Sequence, residues 1–461
     1  MKFVSTRGQA PSLDFEEVTL AGLATDGGLY VPEEWPRFSD SEIRSCRGKS
    51  YRELAKTVLG KFTSECLTDS ELSALVDRAY SSFNHSAIAP LKQLDSSLYV
   101  MELFHGPTLA FKDFALQFLG QLFEHILGAR GRRCTIVGAT SGDTGSAAIE
   151  AVRGLSSIEL FMLHPHGRVS DVQRKQMTTV TDDNIHNLAV DGTFDDCQNL
   201  VKAMFNDQSF RQQHQLSAVN SINWARIAAQ VVYYFRAALE LGSPDRAVNF
   251  AVPTGNFGNV FAGYVARQMG LPINRLIIGS NSNDILTRFF ETGHMEQKGV
   301  NPTLSPSMDI QISSNFERYL FELSGRDSEK ISRFMRQFSE QGTFSVSDSC
   351  LQRATELFFA HRLDDGATRD EVRRVYTETG EVMDPHSVIG VAAARVHAEA
   401  DVPTVVLGTA HPAKFGTAVE DAIGIAPVLP DHLGNLMDRP ETSTRVSNSL
   451  SSVQQLINQS S

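Results

Sequence analysis

The sequence predicts an α/β protein whose parallel sheets are covered by helices on both faces. Three observations carry that expectation. From about residue 97 strand-like and helical stretches alternate, the strand-like runs are short and rich in β-branched residues, and two of them run straight into glycine-rich loops that open helices. The expected organisation is two parallel-sheet α/β subdomains within residues 86–431, the smaller at roughly 130–215. A mostly helical N-terminal module at 1–85 precedes them and a tail at 432–461 follows.

Each element has its own warrant. In the N-terminal module "ATDGGLYVPEEWPRF" is turn-rich, and residues 50–60 and 69–83 have the spacing of short amphipathic helices. "SLYVMELF" then reads as a strand, and the stretch after "HGPTLAFKDFALQ" as a helix. Its apolar positions, Phe111, Phe114, Ala115, Phe118, Leu119, Leu122, Phe123 and Ile126, form one stripe, with Asp113, Gln117, Gln121 and Glu124 opposite. "CTIVGAT" is a strand that opens through "SGDTGSAAIEAV" into a helix; "IELFMLHP" and "NIHNLAV" are strands, the latter followed by a helix from Asp195. "RAVNFAVPTGNFGNVFAGYVARQMG" repeats the strand, glycine loop and helix, and "RLIIGSN" and "TVVLGTA" are further short strands. Residues 325–380 read as charged, helical surface packing, and the Ser/Asn/Gln-rich tail ends in a weak helix.

Bulk composition excludes several functions. With 42 basic and 54 acidic residues among 461, the net charge of −12 argues against a general nucleic-acid or anionic-membrane binder. Five scattered cysteines without C-x-x-C spacing argue for reduced thiols, not a disulfide framework or a zinc site. No apolar run approaches a membrane span, and the first residues lack a secretory h-region, so a cytoplasmic location is expected.

Lys112 breaks the helical pattern, because it falls in the arc that holds Leu119 and Phe123. Either its stem covers apolar surface while the amine reaches water, or the amine is desolvated and serves as a Schiff-base former or a base. Three loops bear on that choice, since parallel sheets bind ligands beyond the carboxyl ends of their strands. "GATSGDTGS" offers backbone N–H groups at a helix N-terminus with the hydroxyls of Thr140, Ser141 and Thr144, a set suited to a carboxylate or phosphate. "PTGNFGN" places Gly255 and Gly258 around Asn256 and Phe257, again ahead of a helix. "GTAHPAKF" puts the neutral hydroxyl of Thr409 at a strand end, with Lys414 shortly after. No G-x-G-x-x-G or P-loop pattern occurs, which counts against a nucleotide enzyme. A lysine for an imine, a backbone cradle for phosphate and a partner for a ring nitrogen are what pyridoxal 5′-phosphate requires.

At these residues the chain resembles the threonine synthase family, in the tryptophan-synthase-β-like group of pyridoxal-phosphate enzymes (fold type II). The matching stretches are "STRG", "GLATDGGLYVPEEWP", "HGPTLAFKDFALQ", "GATSGDTGSAA", "SINWAR", "PTGNFGN", "SPSMDIQISSNFERYLF", "DPHS" and "GTAHPAKF", spread over nearly the whole chain. The resemblance implies that Lys112 is the imine-forming catalytic lysine. It also implies that Gly255, Asn256, Phe257, Gly258 and Asn259 hold the cofactor phosphate and that Thr409 faces the ring nitrogen. Thr140, Ser141, Gly142, Asp143 and Thr144 would grip the substrate α-carboxylate. For the substrate phosphate the chemistry offers Arg168 and Lys414, with Arg174, Lys175 and Arg226 as competitors.

The implied reaction is O-phospho-L-homoserine plus water giving L-threonine and phosphate, by γ-elimination and β-addition. The alternatives are an eliminase that stops at 2-oxobutyrate, and a catalytically silent protein of the same fold. A monomer is expected, with a dimer as the alternative and no metal, nucleic-acid or membrane partner. His105 and His386 stand as candidates for proton transfer or for structural roles.

Overall fold

The structure, a computed structural model, describes residues 1–217 and 220–460. The β-branched runs become the inner strands of two sheets. In the larger sheet the order is Phe358–Arg362, Ile273–Ser280, Val248–Pro253, Thr404–Gly408, Leu98–Glu102 and Leu91–Gln93. All neighbours are parallel except Leu91–Gln93, which runs antiparallel to Leu98–Glu102. Val248–Pro253 and Thr404–Gly408 are buried at every position, as strands covered on both faces must be. The second sheet runs Thr444–Ser447, Ile185–Asp191, Ile158–Pro165, Cys134–Ala139 and Leu216–Ser217, all parallel.

The chain forms two compact units, one around each sheet. The larger comprises Met1–Val76, Phe83–His105 and Ser221–Pro427; the smaller comprises Asp77–Ser82, Gly106–Asn220 and the chain from Val428 onward. These differ from the expected boundaries in three ways. Residues up to Val76 group with the larger unit. The smaller unit starts at Gly106, so it contains the helix Lys112–Ala129. The expected tail is built into it: Thr444–Ser447 pairs in parallel with Ile185–Asp191, and Val453 and Ile457 of the last helix join the core beneath.

In the larger unit the core is organised by Pro385–His397. Its N-cap is Asp384, whose carboxylate accepts the N–H groups of His386 and Ser387, with proline in the first turn. Val388, Val391, Ala393 and Ala394 then pack against Val100, Ala251, Ile277 and Val406 of the sheet. The region 325–380, expected to be helical, also contains the edge strand Phe358–Arg362.

The C-terminal segment of the smaller unit is fastened by charge. Glu441 accepts from Arg174 Nε at 2.9 Å and from the Thr178 hydroxyl at 2.7 Å. The hydrogen bond from Arg174 holds the Glu441 carboxyl down at about 2, against an ordinary 4.5. A carboxyl depressed in the folded state stabilises fully above its unfolded value, and that contribution is lost as pH falls from about 4.5 to about 2. The pair is partly solvated, so about 1 kcal/mol is at stake. Thermal unfolding of Glu441→Gln across that window should show a shallower acid slope than the parent, with the two converging at its lower end.

Candidate active site

Lys112 is the first residue of the helix Lys112–Ala129, and its Nζ lies 3.2 Å from Asp143 Oδ2 and 5.7 Å from the centre of the Phe111 ring. Its side chain is 11% exposed, so the ammonium is neither at the surface nor sealed in a core. The solvent face expected of this helix is narrower than its sequence implies: Asp113 and Gln117 are buried, and Gln121 and Glu124 stay partly exposed. Asp113 is held inside because its carboxylate accepts the Thr108 N–H at 2.9 Å and the Thr108 hydroxyl at 2.6 Å.

The loop after Cys134–Ala139 is shaped by Thr140. Its buried hydroxyl oxygen accepts the N–H groups of Gly142 and Gly145, each at 2.9 Å, which leaves its own proton to donate. Gly142 has φ +143°, and a Cβ there would lie 2.5 Å from the Gln173 amide, so only glycine fits. The helix Asp143–Val152 has no side-chain cap, and the N–H groups of Ser141 and Thr144 meet no acceptor among the described residues. Such a terminus suits a small carboxylate. Ser141 is exposed and Thr144 half-buried.

Asp143 departs from the expectation that it grips a carboxylate. Its Oδ2 faces Lys112, and its Oδ1 accepts from Gln173 Nε2 at 2.7 Å. A carboxylate has only acceptors to offer, so it would repel a second one. Asp143 is therefore the counter-charge of Lys112. Thr140→Val should leave two buried N–H groups without an acceptor and destabilise the protein by about 2 kcal/mol in thermal or urea unfolding, while Thr140→Ser remains near wild type.

In the larger unit, Val248–Pro253 leads into the loop 254–257 and the helix Gly258–Gln268. Phe257 occupies the N-cap in the left-handed region at φ +62°, a conformation that disfavours a bulky residue. Its ring compensates by packing at 5.0 Å from Phe316 and 5.6 Å from Phe358. The helix has no side-chain cap, and the N–H groups of residues 255–259 meet no acceptor among the described residues.

Asn259 adds a buried donor to this set. Its Oδ1 accepts the hydroxyls of Tyr233 at 2.6 Å and Tyr234 at 3.1 Å, while its Nδ2 has no partner among the described residues. An unpaired buried donor beside a run of free amides calls for an anion with several oxygens, so these residues fit a phosphate ester. On the adjacent strand, Thr409 follows Thr404–Gly408. Its N–H donates to Ser387 Oγ at 2.9 Å and its own hydroxyl makes no bond among the described residues, which suits a heteroaromatic nitrogen. These features match what pyridoxal phosphate needs.

The candidate cations separate by burial and partners. Arg168 is exposed in a turn. Arg174 and Lys175 are engaged by Glu441, at 2.9 and 3.4 Å. Lys414 is 2% exposed, in the turn Pro412–Phe415. Arg226 is buried on the helix Trp224–Glu240, and its Nε and Nη1 have no partner among the described residues. Burial pushes its pKa down to about 10.

Both candidate histidines are engaged by neighbouring groups. His386 Nε2 accepts the Ser307 N–H at 3.2 Å, which puts its proton on Nδ1, 2.9 Å from Asp384. His105 lies 2.7 Å from Glu102, with its ring 4.8 Å from that of His85.

Comparison with known proteins gives the family. Residues 2–80 match a family described as threonine synthase N terminus, 85–351 one described as pyridoxal-phosphate dependent enzyme, and 387–457 one described as threonine synthase, C-terminal. The chain is 54% identical to a threonine synthase of Pseudomonas aeruginosa, over 100% of this chain and 98% of that protein. It is 42% identical to the Saccharomyces cerevisiae threonine synthase, over 91% of this chain and 88% of that one. A crystal structure of PLP-bound threonine synthase from Brucella melitensis superposes with a TM-score of 0.99 at 53% identity, covering 100% of this chain and 99% of that chain.

Proposed function

Because the chain belongs to the threonine synthase family of pyridoxal-phosphate-dependent lyases of fold type II, we propose that its substrate is O-phospho-L-homoserine, converted with water to L-threonine and phosphate. Bound pyridoxal phosphate supplies the electron sink for carbanions formed next to the substrate nitrogen. The backbone N–H groups of Gly255, Asn256, Phe257, Gly258 and Asn259, with Asn259 Nδ2, hold its phosphate. Thr409 offers the ring nitrogen a neutral hydroxyl.

The Lys112 amine would hold the cofactor and, when free, would take the α-proton of the substrate and return protons later. Asp143, 3.2 Å from Nζ, balances the charge whenever that amine is protonated. The Thr140 hydroxyl proton and the N–H groups of Ser141 and Thr144 bind the α-carboxylate; Gly142, whose N–H is given to Thr140 Oγ1, shapes the loop and does not grip the substrate. Arg226 takes the substrate phosphate in preference to Arg168, which solvent surrounds; Lys414 remains a second cation for it. The observation that carries the choice of a phosphorylated substrate is the buried guanidinium of Arg226, unpartnered at two nitrogens.

The test is product analysis on the purified holoenzyme supplied with phosphohomoserine. Threonine and phosphate should appear one for one. Phosphate with 2-oxobutyrate in place of threonine would make the protein an eliminase. The same reading has it acting as a monomer in the cytoplasm; no helix among the described residues is long and apolar enough to cross a membrane.

A further inference from the structure

The segment Ser313–Asn315 takes up the polar groups on one side of the loop that precedes Gly258–Gln268. The Ser313 hydroxyl donates to Gly255 O at 2.7 Å, and the Ser314 hydroxyl to Asn256 Oδ1 at 3.2 Å. Asn256 O accepts from both the Asn315 N–H and Asn315 Nδ2, each at 3.1 Å. In a trans peptide the C=O and the following N–H point in opposite directions. Fixing the carbonyls of Gly255 and Asn256 toward this segment therefore aims the N–H groups of Asn256 and Phe257 away from it, to the side where an anion must sit.

Asn315 is itself held. Its Oδ1 accepts from Arg318 Nη1, and its Nδ2 also donates to Ser221 O at 3.0 Å. Arg318 is fully buried and also donates to two backbone carbonyls, Nε to Tyr30 O at 2.9 Å and Nη2 to Ile222 O at 2.6 Å. Tyr30 belongs to the N-terminal strand pair Phe3–Ser5 and Tyr30–Pro32. Beside it on the same helix, Glu317 accepts from Arg7 Nε at 3.1 Å and Nη2 at 3.0 Å, and from the Thr6 hydroxyl at 2.6 Å. A buried arginine without a carboxylate partner is costly, so its geometry has a purpose beyond attraction.

We propose that the N-terminal segment braces the phosphate-binding loop through Arg318 and Asn315, making Asn315 a positioning residue for the loop's amides. This rests on the reading of residues 255–259 as the cofactor phosphate site. The experiment titrates apo-protein with pyridoxal phosphate and, separately, with pyridoxal, which lacks the phosphate. Wild type should prefer the phosphorylated ligand strongly.

Asn315→Asp keeps the acceptor for Arg318 but turns a carboxylate oxygen toward two carbonyls. It should weaken pyridoxal phosphate binding about tenfold and leave pyridoxal within about twofold. Arg7→Ala, at a partly exposed position remote from the loop, should weaken pyridoxal phosphate about threefold with the same selectivity. Equal losses for both ligands, or no loss in Asn315→Asp, would overturn the proposal, and an effect confined to Asn315→Asp would overturn the brace. If wild type itself fails to prefer the phosphorylated ligand, the cofactor-site reading falls first and this inference falls with it.

Discussion

Lys112→Ala should lower the rate of phosphate release and threonine formation by about 10⁴-fold, the scale expected when one group serves both as nucleophile and as proton carrier. The fold should survive. Lys112 begins its helix, where the exposed N–H groups already create positive potential, so removing an ammonium there relieves a repulsion. Asp143 loses one partner but keeps the donor from Gln173 at 2.7 Å. Lys112→Arg separates charge from chemistry, because a guanidinium maintains the ion pair with Asp143 yet cannot condense with an aldehyde or give up a proton near neutrality. Both variants should be inactive, and borohydride treatment should add cofactor mass at residue 112 in wild type alone. Full turnover in either variant would remove Lys112 from the reaction.

What could be read in the sequence were the features whose signals are local. The short β-branched runs located the inner strands, the period-3.6 pattern the helix Lys112–Ala129, and the glycines the two strand-to-helix loops. What escaped depended on partners far away along the chain. "TRVS" at 444–447 buries only Val446, so nothing in it announces a parallel partner at Ile185–Asp191. "FFAHR" at 358–362 sits among charged helices and is a strand only because Ile273–Ser280 lies beside it. Asp113 and Gln117 fall on the polar side of a helical wheel, yet Thr108 supplies Asp113 with internal donors and the first turns of the helix are buried on that side too. Among the cations, sequence gives the charge and not the counter-charge. Glu441 removes Arg174 and Lys175 from contention, whereas Arg226 emerges only when its unpartnered nitrogens are known. Asn315 and its neighbouring serines went unremarked for the same reason: hydroxyls and amides are common in loops, and only their acceptors give them a role. The run of two serines and an asparagine inside a matched motif was the one available signal.

Arg226→Met should make the protein more stable and less active. In wild type the guanidinium is buried with Nε and Nη1 unpaired among the described residues, and burial depresses its pKa to about 10. For a base depressed by folding, the protonated form is the one that folding disfavours. The penalty is therefore complete below about pH 10 and fades only as pH rises toward 12.5. At neutral pH the protein bears the whole of it, and an apolar side chain of similar length removes it. A gain of about 2 kcal/mol is expected in the unfolding of the apo-protein, in line with replacements of unfavourably buried charges.

Turnover of phosphohomoserine should meanwhile fall about 10²-fold or more, because the arginine stabilises the phosphate as it leaves. Inorganic phosphate connects the two effects. In the holoprotein, where the cofactor already occupies the amides of residues 255–259, it should raise the unfolding midpoint of wild type by mass action and leave that of Arg226→Met unmoved. Unchanged pyridoxal phosphate affinity in the variant would assign Arg226 to the substrate's phosphate, and a parallel loss would assign it to the cofactor's. A variant that unfolds more easily than wild type would mean that the guanidinium already has partners in the folded chain, and the case for an anion at that position would fail.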